Sequence, residues 1–282
     1  MRSGAVREDG AMISALRSGT PFTIRFGAYE AEIASIGASL RALRHDGRDL
    51  VVPFNADEVR PGFRGAVLAP WPNRVVEGRY DFGGVEYELA LTEPNRGHAL
   101  HGFAGWLDFE VTALSDDAVT LQAVIVPQTS YPWRVRVETT YRLGAGGLTQ
   151  VVRAVNEGAD AAPFGTGPHP YLVAGPGALD TWTFELPASV VLEVTPDRLS
   201  PVALHDVAEH EPERFDWRAS RVLGAVEIDH AYTGITGGDD GRATVRLTDP
   251  SGSGVAMSWD AACPWVQVHT ADQIGRASCR ER

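Results

Sequence analysis

Apolar residues in this chain recur at every second position far more often than at helical spacing. Phe22, Ile24 and Phe26 alternate with polar neighbours, and Ala31 and Ile33 resume the alternation beyond Gly27–Tyr29. A period of two sends successive side chains to opposite faces of a strand. Leu43–Val52 predicts a hairpin folded at Asp46-Gly47, a pair that accepts positive φ. Tyr80 and Phe82, then Gly83-Gly84, then Val85, Tyr87 and Leu89 predict another with a two-residue turn. Val111–Val126 reads as two strands joined at Ser115–Asp117, and Val135–Asn156 as two joined at Gly144–Gly147. Val245–Trp259 repeats the device around Asp249–Gly254. Gly37–Arg74 has irregular, proline-containing parts, and Asp206–Arg221 is a charged loop or short helix. Strands at short, regular spacing with turns rich in glycine, proline, asparagine and aspartate specify an antiparallel all-β domain.

Composition narrows the class. The 282 residues, 44% of them hydrophobic, suffice for the core of one large β sandwich. No linker or internal repeat divides them, so residues 20–273 are read as a single domain behind an N-terminal extension, residues 1–19. No apolar run approaches membrane-spanning length, and the N-terminus lacks the apolar core of a signal peptide. The expectation is a cytoplasmic protein with no membrane partner. With 25 basic and 37 acidic residues the net charge is −12, which argues against nucleic acid as a partner. Two cysteines, Cys263 and Cys279, provide neither a disulfide framework nor metal-ligand spacing.

Four stretches carry candidate chemistry. In Gly165–Leu172, GTGPHPYL, Pro168 and Pro170 hold φ near −65°, and Pro170 keeps His169 out of the helical region. The imidazole therefore sits on stiff, extended backbone; read alone, this is either an exposed turn histidine or a side chain that must point somewhere definite. In Ala69–Val75, APWPNRV, two prolines stiffen a loop presenting Trp71, Asn73 and Arg74. Guanidinium and amide suit hydroxyl-rich or carboxylate ligands, and an indole face suits a sugar ring; a structural arginine on a surface loop is the bland alternative. In Asn95–Trp106, His98 and His101 are three apart, but flanking glycines argue against a helix, and no further ligand completes a metal set. A loop histidine before glycine is better suited to hydrogen bonding or acid/base work. In Val226–Gly234 apolar residues bracket Asp229, placing it at a strand end, where it accepts hydrogen bonds from a ligand or from its own turn. His45, His205, His210, His230 and His269 read as ordinary surface or packing residues.

Taken in order, these motifs resemble the aldose 1-epimerase (galactose mutarotase) family. The resemblance runs from about residue 20 to residue 273 and rests on PNRV at Pro72–Val75, EGRYDFGGVEYEL, and NRGHALHGF at Asn95–Phe103. It continues through GTGPHPYL, IDHAYTG at Ile228–Gly234 and WVQVHTAD at Trp265–Asp272. It implies a large antiparallel β sandwich, the galactose mutarotase-like supersandwich, with a small-molecule sugar on its concave face. The implied reaction interconverts the α and β anomers of a free aldose by acid/base-catalysed ring opening and closure, with no cofactor and no metal. The resemblance makes His169 the acid and His101 its helper at the ring oxygen or hydroxyls. It assigns Arg74 and Asp229 to substrate hydroxyls; Asn73, Trp71 and Tyr171 are read from their loops as further lining, as is His98, to which the resemblance gives no role. Phosphorylated hexoses held by Arg41, Arg44, Arg64 or Arg96 are an alternative, as is a carbohydrate-binding protein without catalysis.

The family's base is a glutamate a few tens of residues beyond the WVQVHT-type strand, and Glu281 has no family-like neighbours. The base is thus expected beyond Gln273. Ile274–Arg282, IGRASCRER, back-translates with permissible codons to a sequencing-adapter sequence and is read as non-native. A chain ending there is expected to be poorly soluble and impaired by about a hundredfold or more. Sequence alone fixes neither oligomeric state nor the preferred sugar.

Overall fold

The two-residue period of the sequence takes the form of short antiparallel sheets in a computed structural model that describes residues 16–270. The tail at Ile274–Arg282 and most of the N-terminal extension lie outside the described residues. The chain forms two compact units, with the boundary after Tyr171. No linker composition marks that boundary, because Leu172 completes the GTGPHPYL run.

In the first unit β1 (Pro21–Phe26), β2 (Tyr29–Ala34), β3 (Ser39–His45) and β4 (Arg48–Asp49) form a meander. The β3–β4 turn is Asp46-Gly47, both at positive φ, as their residue types favour. Five short strands follow: β5 (Val67–Leu68), β6 (Arg74–Val76), β7 (Arg79–Phe82), β8 (Val85–Glu88) and β9 (His98–Leu100). β7 and β8 pair across Gly83-Gly84, and β6 pairs with β9. A second four-stranded sheet holds β10 (Glu110–Leu114), β11 (Ala118–Ile125), β12 (Val135–Gly144) and β13 (Gly147–Asn156) in chain order. The central β12 shows why the period matters: Val135, Val137, Thr139, Tyr141 and Leu143 are buried, and the residues between them are not. The buried Tyr141 hydroxyl donates to Ala38 O at 2.7 Å and accepts from Gln150 at 2.8 Å, so its desolvation is compensated. Finally β14 (Gly167–Pro168) pairs with β5, setting the GTGPHPY run beside the loop that follows β5.

The second unit contains β15 (Thr183–Glu185), β16 (Ala188–Val194), β17 (Pro201–Asp206), α1 (Pro212–Phe215), β18 (Arg221–Val222), β19 (Asp229–Ile235), β20 (Ala243–Thr248), β21 (Gly254–Trp259) and β22 (Val266–His269). These strands make two four-stranded sheets, β18-β15-β20-β21 and β17-β16-β19-β22. The core of this unit is built on Trp182, Phe184, Leu186, Phe215, Trp217 and Tyr232. Every pairing between these named strands is antiparallel, in agreement with the all-β reading; the isolated bridge between Ala69 and Gly102 is parallel. Among the described residues no helix is long and apolar enough to cross a membrane.

Candidate active site

The first unit gathers four of its own segments around two imidazoles. Main-chain hydrogen bonds set their spacing. Gly65 N–H donates to His169 O at 2.8 Å and Gly165 N–H to Pro70 O at 2.7 Å, while Phe103 and Ala104 both donate to Ala69 O. Gly65 lies at φ +66°, and a Cβ there would stand 2.1 Å from Leu40 O. Glycine is therefore what allows the chain carrying His169 to be tied down at this point.

His101 and Asn73 are locked together more closely. Both are non-glycine residues at positive φ, 63° and 59°. The His101 N–H donates to Asn73 O at 2.9 Å, and the Asn73 N–H donates to His101 Nδ1 at 3.0 Å. A ring nitrogen that accepts a hydrogen bond carries no proton, so this contact assigns the neutral imidazole its proton on Nε2. Burial, followed by the nearby His169 and Arg74, pushes the His101 pKa down to about 3; Glu93 acts in the opposite direction without reversing it. At neutral pH His101 is thus an uncharged donor of known tautomer.

His169 packs against it, ring centroids 5.1 Å apart and nearly perpendicular. The contact belongs to a longer row of rings. Trp106 meets Phe63 at 5.3 Å, Phe63 meets His101 at 4.8 Å, and His169 meets Tyr171 at 5.4 Å. The Tyr171 hydroxyl donates to Gly62 O at 3.1 Å. At the far end the buried Arg60 guanidinium lies 4.6 Å over the Trp106 ring and donates to Ser39 Oγ and Gly105 O. Desolvation lowers its pKa only to about 10, so it stays charged.

Arg74 is held by a planar, two-pronged contact with Glu93: Nε at 2.7 Å and Nη2 at 3.1 Å, with Nη1 donating to Asn73 Oδ1 at 3.2 Å. Arg96 also reaches Glu93, at 2.7 Å. Burial disfavours the charged Glu93 carboxylate, but the hydrogen bonds from both arginines outweigh it and hold its pKa below the usual range.

Of the residues singled out in the sequence, His101, His169, Asn73, Arg74 and Tyr171 come together here. Trp71 is adjacent but turned inward: its N–H donates to Ala99 O and its ring meets Phe103 edge-on at 5.0 Å. His98 is not brought to the surface of the site. Its side chain is fully enclosed and its Nδ1 accepts from the Glu77 N–H, within the β6–β9 pair. Asp229 opens β19 in the second unit, half-buried, with Oδ1 accepting from Gln267 at 2.8 Å. Three residues of the site escaped sequence reasoning: Glu93, Phe63 and Arg60. Glu93 left one faint signal, an acid three positions before Arg96 beside two histidines. Phe63 and Arg60 left none, because their parts depend on a turn at Pro61–Phe63 with positive φ. Arg41 and Arg44, considered for a phosphate, face carboxylates on the sheet: Arg41 contacts Glu32, and Arg44 contacts Glu30, Glu32 and Asp49.

The sequence profile of aldose 1-epimerases matches residues 21–282. The chain belongs to the aldose 1-epimerase family. Among curated relatives, the Escherichia coli K12 protein YihR is 33% identical over 260 residues, covering 92% of this chain and 82% of that one. The galactose mutarotase of Mus musculus is 29% identical over 231 residues, covering 76% of this chain and 65% of its own. Two solved structures share the fold of this aldose 1-epimerase family member. A GalM/aldose epimerase homologue from C. elegans superposes with TM-score 0.76 at 20% identity, covering 89% of this chain and 82% of that one. A putative aldose 1-epimerase from E. coli K12 gives TM-score 0.74 at 22% identity, covering 91% and 83%.

Proposed function

We propose that this protein interconverts the α and β anomers of a free aldose, with His169 as the acid. The observation that carries the reading is the His101–His169 pair. Two imidazoles in contact do not both hold a positive charge readily, and the packing around His101 keeps that ring neutral. His169 is then the member of the pair left to exchange a proton with the sugar. His101, with its proton on Nε2, donates a hydrogen bond to the same sugar and does not compete for that proton.

The chemistry follows from these roles. The anomeric hydroxyl loses its proton while His169 protonates the ring oxygen, the ring opens to the aldehyde, the C1–C2 bond rotates, and closure on the other face reverses both transfers. Arg74, held flat by Glu93 and Asn73, offers fixed donors to hydroxyls, which limits the motion of the sugar between opening and closing. Asp229 is assigned to hydroxyls by the family resemblance. The anomeric base is assigned in the same way to a glutamate of the family's final segment. Carboxylates neutralise Arg41, Arg44 and Arg96, three of the four arginines considered for a phosphate, whereas Arg64 donates to Pro53 O and lies over the Tyr171 ring.

Polarimetry on freshly dissolved α-galactose and α-glucose tests the reading. Protein that carries the family's final segment with its glutamate should speed the approach to anomeric equilibrium, and His169→Asn in that protein should lower kcat by about 10²–10⁴-fold, the usual worth of one positioned proton-transfer group. Sugar binding by calorimetry without acceleration of the optical change, in the same protein, would instead support a carbohydrate-binding role. An unchanged rate in His169→Asn would remove His169 from the chemistry.

A further inference from the structure

The second unit holds a side-chain cluster that the sugar chemistry does not use. Glu193 on β16, His205 on β17 and His210 on the turn after β17 each place one donor atom within 4.8 Å of the others. The sheet explains how. Val191 faces His205 and Glu193 faces Ala203 across the β16–β17 ladder, so Glu193 and His205 are diagonal neighbours on one face. His205 Nε2 lies 2.7 Å from Glu193 Oε2. The turn closed by His210 N–H on Asp206 O then folds the second imidazole back over the first, ring centroids 4.1 Å apart. Phe215 stacks behind His210 at 5.6 Å, and Glu211 brings a further carboxylate to 3.8 Å from His210 Nε2.

We propose that Glu193, His205 and His210 form a binding site for a divalent transition-metal ion of the zinc type. The donor set is two imidazoles and one carboxylate, which suits Zn²⁺ and leaves a fourth position for water or for Glu211. A tetrahedral ion with bonds of about 2.0–2.1 Å separates its donors by about 3.3 Å. The existing separations bracket that value, so small side-chain movements suffice in most of the cluster. His210 moves most: its ring lies within 9° of parallel to His205, and both rings can bind one ion only if His210 tips out of the stack. The three side chains are partly exposed, which gives an ion an entry path and makes the site exchangeable. Arg214 is the nearby opposing charge, and it is engaged by Glu211, by Glu227 O and by the Phe215 ring. The ion would clip the turn after β17 onto β16 at a place where β17 is the outer strand of its sheet.

Zn²⁺ titration by calorimetry, on the full chain with any purification tag removed, tests this. One equivalent should bind with micromolar affinity and raise the melting temperature, reversibly with a chelator. His205→Gln with His210→Gln should weaken binding at least tenfold, and Glu193→Gln should weaken it measurably. His45→Gln, a partly exposed histidine of the first unit, should leave it unchanged. Melting curves in chelator establish that each variant folds. Absence of saturable Zn²⁺ binding in wild type, or binding of equal strength in the double variant, would overturn the proposal.

Discussion

His101 shows how one residue couples the site to the stability of the whole chain. In the folded protein its pKa lies near 3, whereas an unfolded histidine titrates near 6.5. As pH falls below about 6.5 the unfolded chain takes up a proton that the native one refuses, so stability drops until the native ring also protonates near pH 3. His230, whose pKa is lowered chiefly by burial, acts in the same direction. His101→Asn retains an acceptor for the Asn73 N–H but does not titrate. Urea denaturation at pH 7 and pH 4.5 should therefore show wild type losing about 2 kcal/mol more than the variant. Equal losses would mean that the ring is less desolvated than its packing implies.

At the scale of elements, the site depends on close main-chain approaches that leave no room for a side chain. Gly65→Ala would set a Cβ against Leu40 O at a backbone conformation that alanine disfavours. The expected cost is about 2–4 kcal/mol of stability, measured by denaturant melts; under the proposed function, displacement of His169 should also slow mutarotation. The same local physics decided what could be read in advance. Asp46-Gly47 and Gly83-Gly84 announced their hairpins because positive φ at a two-residue turn restricts residue type. β12 announced itself through strict alternation. β16 did not, since Ala188–Val194 is mostly partly buried and lacks that alternation. The β5–β14 pair was equally hidden: two residues on each side offer no period to detect. For the site, the proline-stiffened motifs carrying His169 and Arg74 were legible as local sequence. Glu93 and Phe63 were not, because each acts only through a neighbour that folding brings beside it. The cluster of Glu193, His205 and His210 was missed for the same reason, since diagonal strand neighbours have no fixed sequence spacing.

Across the whole molecule, acid conditions act twice. The charge of −12 at pH 7 falls to zero near the isoelectric point of about 5.1. The same range lies inside the window where buried histidines lower stability, so loss of repulsion coincides with greater unfolding. Exposed apolar residues on outer strands, among them Leu114 on β10 and Val151 on β13, are available to self-associate. Turbidity scanned against pH should peak close to pH 5, and His101→Asn should reduce the peak; a featureless scan would contradict this. The β5–β14 contact has a different consequence, one that concerns time. On the ribosome, β1–β4 and β10–β13 can pair with sequence neighbours as they emerge. The two imidazoles cannot meet until Gly167–Tyr171, the last residues of the first unit, have followed. A nascent chain cut short before that point would still have the strands of the β1–β4 and β10–β13 sheets, but it would lack the β5–β14 pair and hold only one of the two rings.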